Sequence, residues 1–285
     1  AEAGVDQFLT LTITGLVTAA LYAVAASGLV VTYTTSGIFN FAHGAFGMFA
    51  AFAYWQVRFD WGGPAPLALL VVLGVGAPLF GAVVERVVLR GLRDAPEVIQ
   101  LIVSVSLLFG VYQAALELFP PAGRRIPGFF DGNRIDLGVV NLTWHDASTV
   151  AAAVITAVGL RLLLFRTRAG VTMRSVVDDP DLTRLTGGRP DRASMLSWAL
   201  GTGLAGLAGI LLAGSQGSLS HIPLTLLVIN AYAAALFGRL RSVPITFVGA
   251  LVIGLAEAYA IGYLDLSRPL SSVAGFSIDP PLSLA

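Results

Sequence analysis

Apolar runs long enough to span a bilayer recur along the whole chain, and that recurrence leaves few folds open. A helix crosses the hydrocarbon layer with about 20 apolar residues, and roughly 17–25 are tolerated. Runs of this kind cover residues 9–31, 41–57, 66–88, 98–119, 147–165, 193–213, 223–238 and 244–263. In lipid the backbone must satisfy its own hydrogen bonds, which leaves helices or closed barrels. Long runs without strict alternation read as helices. The expectation is an all-α fold: one domain over residues 1–285, built as a polytopic transmembrane helical bundle of about eight membrane segments. Segments 41–57 and 223–238 are short, so one or two helices are expected to be broken or to span only in part.

Composition supports this class and removes others. The chain is 56% hydrophobic and 12% charged, against roughly 25% charged in ordinary soluble domains. It has no cysteine, which excludes disulfides and thiolate metal sites. Every basic residue other than histidine is arginine, so a phosphate loop ending in Gly-Lys-Ser/Thr cannot form. His43, His145 and His221 lie on separate segments without metal-ligand spacing. Gly214-Ser215-Gln216-Gly217 near His221 offers a serine and a base but no orienting acid. No catalytic residue, metal or cofactor is therefore expected. The arginines sit at segment ends, which argues against a nucleic-acid surface. Glu2 and Asp6 stand where a secretory signal would be basic, and the missing initiator Met is expected to reflect a trimmed N-terminus.

Charge gathers in one place. The loop 166–192 carries Arg166, Arg168, Arg174, Arg184, Arg189 and Arg192 with Asp178, Asp179, Asp181 and Asp191. If this loop is cytoplasmic and the segments alternate, twelve arginines lie inside and five outside (Arg58, Arg124, Arg125, Arg134 and Arg268). That bias follows the positive-inside rule and puts both termini outside. Asp179-Pro180 fits an N-cap followed by proline at the first helical position, and Gly187 fits the stop of the same short helix. Met173, Val176, Val177, Leu182 and Leu185 would form an apolar ridge suited to a groove on a partner. The opposite loop, 120–146, is expected outside, as a hairpin turning at Asp131-Gly132-Asn133 between runs 126–130 and 135–142.

Polar residues inside spans are the remaining candidates. Thr34, Thr35, Ser36 and Gly37 are expected to break the first helix, with Asn40 capping the next through its side chain. Irregular backbone at membrane depth is tolerated only inside protein or facing water, which makes 32–44 a candidate pathway lining. Ser106, Gly110, Gln113 and Glu117 share one face of the fourth segment, and such a stripe is expected to face the bundle interior or a water-filled cavity. Glu257 is the deepest acid, either a functional group or a partner for a neighbouring helix. His43 reads as a hydrogen-bonded structural residue or a relay. Small residues recur every fourth position at Gly15-Ala19-Ala23-Ser27, Gly201-Ala205-Gly209-Ala213 and Ala250-Gly254-Ala258-Gly262, which predicts close helix packing.

Phe39-Asn40-Phe41-Ala42-His43-Gly44, the Glu85-Arg86…Arg90…Arg93 run, the 166–192 loop and the Gly203–Gly214 stretch occur in an order that resembles the permeases of branched-chain amino-acid ABC transporters. The resemblance implies one of two homologous membrane subunits of an importer in the bacterial plasma (inner) membrane. It also implies two cytoplasmic ATP-binding subunits and an extracytoplasmic substrate-binding protein as partners, in contact with the lipid bilayer and with no nucleic acid. The cargo would be a branched-chain or other hydrophobic amino acid, or urea or a short amide. Asn40, Phe41, His43 and Gly44 match the family's broken-helix signature and, with Ser106, Gln113 and Glu257, are the expected translocation residues. Gly170, Met173, Arg174, Val177, Asp178, Asp179, Leu182, Leu185, Gly187, Asp191 and Arg192 are the expected ATPase-coupling set. The chain departs from the family in having Ala45 where relatives often carry Glu, and Arg239-Leu240 where they have a glycine-rich turn. A further C-terminal span is expected of the family, so the C-terminus is expected to be truncated. The competing expectation is an ion-coupled carrier or channel using Glu257, Glu117 and His43.

The orientation has a direct check. An epitope inserted after Gly187 is expected to be reached by antibody only after cells are permeabilised; labelling of intact cells would reverse the topology.

Overall fold

The computed structural model describes residues 2–92, 95–121, 123–130, 132, 134–136, 141–178, 180–185 and 187–263. Its helices are α1 (Glu2–Ser36), α2 (His43–Trp55), α3 (Ala65–Leu92), α4 (Glu97–Leu118), α5 (Trp144–Arg166), α6 (Arg168–Asp178), α7 (Pro180–Leu185), α8 (Pro190–Gln216), α9 (His221–Phe237) and α10 (Val243–Tyr263). Helices α1, α3, α4, α5, α8 and α10 are long and apolar enough to cross a membrane. The short α2, extended by a wide turn over Gln56–Asp60, and the 17-residue α9 fill the two remaining places. Six helices long enough to cross a membrane thus occur where the hydropathy put them, and the two short runs form the shorter helices α2 and α9.

Helix α1 runs further than expected because its hydroxyls do not compete with it. Ser27 donates to Ala23 O at 2.6 Å, Thr35 to Val31 O at 3.2 Å and Ser36 to Thr32 O at 2.7 Å. Each hydroxyl bonds within its own helix, which keeps polar groups satisfied in a dry environment. Thr34, Thr35 and Ser36 therefore form the last turn, and the chain leaves the helix at Gly37, whose φ of +68° suits glycine. Asn40 does not cap α2 with its side chain. Its backbone carbonyl accepts from His43 N at 3.2 Å, and Ala42 is the N-cap.

Small-residue stripes set the packing. The Gly15-Ala19 face of α1 meets Leu255, Ala258 and Gly254 of α10; a methyl group on Gly254 would lie 2.5 Å from Ala19 N. Gly28 of α1 faces Gly201 of α8, and Gly47 of α2 faces Ala205 and Gly209 of the same helix. Helix α8 is central, with 56% of its apolar window buried; α4 is peripheral, with 17%. One core gathers Phe46, Phe52 and Trp198 around α2, a second surrounds α1, and a third joins Val31, Leu160, Met173, Val176 and Ala193.

The hairpin at the far end from the arginine-rich loop has a shifted register. Strands Arg134–Asp136 and Asn141–Thr143 pair antiparallel, with Ile135 opposite Leu142. Residues 137–140 between the strands lie outside the described residues, as do Asp131 and Asn133. The run at 126–130 does not join it. Arg124–Ile126 instead pairs with the α8–α9 turn, through Ile126 N to Gly217 O at 3.3 Å and Leu219 N to Arg124 O at 3.1 Å. At the other end of α9, Arg239 and Leu240 adopt φ of +50° and +55° where a glycine would be unstrained.

Gly254→Ala and Gly47→Ala are each expected to destabilise the protein by about 1–3 kcal/mol, because backbone atoms and not flexible side chains receive the added methyl. Gly110→Ala, which opens onto free space, serves as the control. Thermal unfolding in detergent measures the difference.

Candidate functional site

Three sets of residues come out of this packing, and they do not form one pocket. The first surrounds the break between α1 and α2. His43 is buried, its Nε2 2.9 Å from Ala25 O of α1, and Gly44 lies against the Thr225 carbonyl of α9. Phe41 N donates to Ser104 Oγ of α4 at 2.9 Å. Ser104 lies seven residues from the start of α4, about 10 Å at 1.5 Å per residue, so the break sits well inside the span. Around it, Phe39 and Phe41 each stack near Tyr232, with centroids 6.3 and 5.4 Å away, and Tyr33 lies 4.9 Å from Phe39. Asn40 is 1% exposed, and neither side-chain atom has a hydrogen-bond partner. The break is thus packed against three helices, and only Phe39 among its aromatic residues is well exposed.

The second set ties α1, α9 and α10 together. Tyr22 Oη donates to Glu257 Oε2 at 2.5 Å, and Asn230 Nδ2 donates to Tyr22 Oη at 2.7 Å. Glu257 lies six residues from the end of α10. Its carboxylate is bonded to the neighbouring helix α1. Tyr22, Asn230, Ser104 and Tyr232 went unnoticed in the sequence, because one tyrosine or serine in an apolar run has no pattern around it.

The third set corrects an expectation. Ser106, Gly110, Gln113 and Glu117 do share one face of α4, but that face is exposed and does not look into the chain's own core. The buried face is Ser104, Val111 and Ala115. Gln113 Nε2 donates to Glu117 Oε1 at 3.3 Å, and Ser106 Oγ to Ile102 O at 2.8 Å. The helix has to present small and apolar side chains to the tightly packed α2, so its polar groups turn outward.

The charged loop divides in the same way. Helix α6 is amphipathic, and Met173 and Val176 face inward at 2% and 6% exposure, against Val31, Leu160 and Ala193. They anchor the loop to its own bundle and are not part of an exposed ridge. Gly170 fits against the Leu163 carbonyl, where a side chain has no room, and Arg174 lies over the Phe165 ring at 4.5 Å. Leu182 and Leu185 on α7 are 58% and 85% exposed. Helix α7 stops at Gly187, with φ of +86°, and Gly188 N returns to Thr183 O at 2.8 Å. Arg192 and Asp191 begin α8. Asp179 lies outside the described residues, and Val177 and Asp178 are placed by backbone alone. The Gly214-Ser215-Gln216-Gly217 turn lies beside His145, whose Nδ1 accepts from Phe129 N and whose Nε2 lies 2.9 Å from Leu211 O. Both ring nitrogens of His145 are thus within hydrogen-bond distance of backbone atoms.

Comparison with known proteins decides the family. Residues 11–276 match the family described as the permease component of the branched-chain amino acid transport system. The chain belongs to that family. It is 27% identical over 264 residues to the high-affinity branched-chain amino acid transport system permease protein BraD of Pseudomonas aeruginosa, covering 89% of this chain and 86% of that one. It is 26% identical over 287 residues to the corresponding permease LivH of Escherichia coli K12, with 95% and 91% covered. A probable branched-chain amino acid transport permease LivH of Methanocaldococcus jannaschii is 27% identical over 246 residues, with 84% and 76% covered. No solved structure matches. The apolar spans and this membership make the chain a multi-pass transport permease component of the bacterial inner membrane.

Tyr22→Phe is expected to cost about 0.5–2 kcal/mol, the range for hydrogen bonds between membrane helices. Glu257→Gln, which keeps an acceptor oxygen for Tyr22, is expected to cost less. Melting temperatures of the two variants in one detergent give the comparison.

Proposed function

We propose that this chain is one of two membrane subunits of an ATP-driven importer for branched-chain or other hydrophobic amino acids. Partner ATPases hydrolyse the nucleotide, and a separate extracytoplasmic protein delivers the substrate. The observation that carries this reading is the exposure of Leu182 and Leu185 on a short helix held between two anchored ones. Two leucines held outward on a short helix suit a docking element better than a plain solvated loop.

The mechanism follows from how that element is mounted. Helix α6 packs through Met173 and Val176 onto α1, α5 and α8. A pull on α7 is therefore carried into three spans instead of being lost in a flexible loop. The short α7–α8 connection passes the same force to the central helix, which holds α1 and α2 through Gly201, Ala205 and Gly209. Motion of α8 then acts on the packed Asn40–Gly44 break, which is the irregular part of the bundle and the natural hinge. Substrate passes along the polar face of α4, by Ser106 and Gln113, between this subunit and a second permease. Polar groups facing lipid would be costly, and a water-filled path between subunits removes that cost. Glu257 acts here as the lock between α1 and α10. Ion coupling through Glu257, Glu117 and His43 has less support, since the three bond to Tyr22, Gln113 and Ala25 and not to one another.

Leu182→Asp combined with Leu185→Asp is expected to reduce copurifying ATPase about ten-fold or more, as for a docking hot spot, with the amount of permease in the membrane unchanged. Undiminished copurification would remove the coupling role from α7.

A further inference from the structure

Arginines from two separate parts of the chain meet at one end of the bundle. Arg86 and Arg90 come from the end of α3; Arg184, Arg189 and Arg192 come from α7 and the start of α8. Together they line a cavity of about 760 Å³, floored by Met195 and Leu196. Among the described residues five arginines and Asp191 share this cavity. Glu85, buried behind them, pairs with Arg90 at 2.9 Å. Arg90 Nε is buried without a hydrogen-bond partner. So much like charge in a concave site favours an anion with several oxygens.

A second cavity, of about 380 Å³, lies deeper along α3, between it and α2, and reaches α8 at Thr202. It is lined by Leu79, Phe80 and Val83 of α3 and by Phe49 of α2, with Thr202 of α8 as its polar member. On α3 the sequence Leu79, Val83, Arg86, Arg90 follows one helical face from the apolar cavity into the cationic one. On α8, Met195 and Thr202 are two turns apart on one face. Val83, Val87 and Leu196 are exposed along this line. A cationic cup at the end of two spans, with an apolar groove deeper along α3, suits a headgroup with its acyl chain better than a free ion.

We propose that the cavity between α3, α7 and α8 binds the phosphate headgroup of an anionic phospholipid, with one acyl chain lying in the groove between α2, α3 and α8. Basic pockets between transmembrane helices recognise such headgroups by charge at the membrane surface. The site is independent of the transport reading, since it requires only that α3 and α8 end in the headgroup layer. It also holds Arg184 and Arg189, which flank the short turn after α7, so a bound lipid would stiffen the segment that carries Leu182 and Leu185.

Native mass spectrometry of the full chain in its membrane assembly tests this, with phosphatidylglycerol, phosphatidylcholine and inorganic phosphate as probes. Phosphatidylglycerol is expected to bind more tightly than phosphatidylcholine. Arg86→Gln with Arg189→Gln is expected to weaken it about 25-fold, at about five-fold per arginine. The Arg86→Lys, Arg189→Lys pair should keep most of the affinity, and Arg161→Gln, outside the cavity, all of it. Val83→Trp, filling the groove, should weaken phosphatidylglycerol. Equal binding of the two lipids, or a Gln pair indistinguishable from the parent, would overturn the proposal. Inorganic phosphate competing at equal concentration would overturn the lipid in favour of a free anion. Displacement of the lipid by copurified ATPase subunits would overturn it in favour of an acidic protein surface.

Discussion

Close approach of helix backbones is the constraint on which the rest depends. Between lipid-facing helices there is no hydrophobic gain to be had, since the surrounding chains are as apolar as leucine. Cohesion has to come from dispersion and hydrogen bonds, and both fall steeply with distance. Helices α1, α2, α8 and α10 meet at glycine and alanine, near enough that an added methyl group would strike a backbone atom. From this follows the position of everything polar. His43 reaches a carbonyl of α1, and Tyr22 reaches Glu257, because the backbones that carry them are already close.

Tight packing also explains why the polar face of α4 points outward. The side of α4 that meets α2 carries Ser104, Val111 and Ala115, leaving Ser106, Gln113 and Glu117 for the far side. A membrane helix with a polar outer face is incomplete alone. The same logic separates the two ends of the 166–192 loop. Met173 and Val176 hold α6 to the bundle, while Leu182 and Leu185 stay exposed.

Much of this was legible in the sequence, for a physical reason. Hydropathy over about 20 residues reports directly on the length of backbone that must satisfy itself in lipid, so the segments fell where the runs predicted. The Gly187 stop of α7 and the every-fourth small residues were legible because glycine has one steric meaning at each place. What the sequence could not reveal was direction. Ser106 and Ser104 differ by two positions and face opposite ways, and only the neighbour decides which side is buried. The hydroxyls at Thr34–Ser36 read as breakers because the same groups break helices in water, where they compete with the helix instead of serving it. The hairpin register slipped because the Ile126 run found a partner in the α8–α9 turn, far away in sequence. The orphaned amide of Asn40, the groups on Tyr22 and Asn230, and the convergence of Arg86 with Arg189 are all tertiary facts without a local signature.

The turn after α9 trades backbone strain for packing. Arg239 and Leu240 hold left-handed backbone angles that a glycine would adopt without strain, which costs roughly 1–2 kcal/mol per residue. Leu240 recovers part of that by burial at 3% exposure, packed into the core around α1. Glycine would lower the strain but would give up that contact and loosen the joint between α9 and α10. Helix α10 is the one bonded to α1 through Glu257 and Tyr22, so a stiff joint at Leu240 keeps α9, α10 and α1 moving as a unit. The irregular backbone lies on the other side of α1, where residues 37–42 separate it from α2. The bundle is therefore continuous on one side of α1, through the Tyr22–Glu257 bond and the buried Leu240, and interrupted on the other, at the chain break before α2.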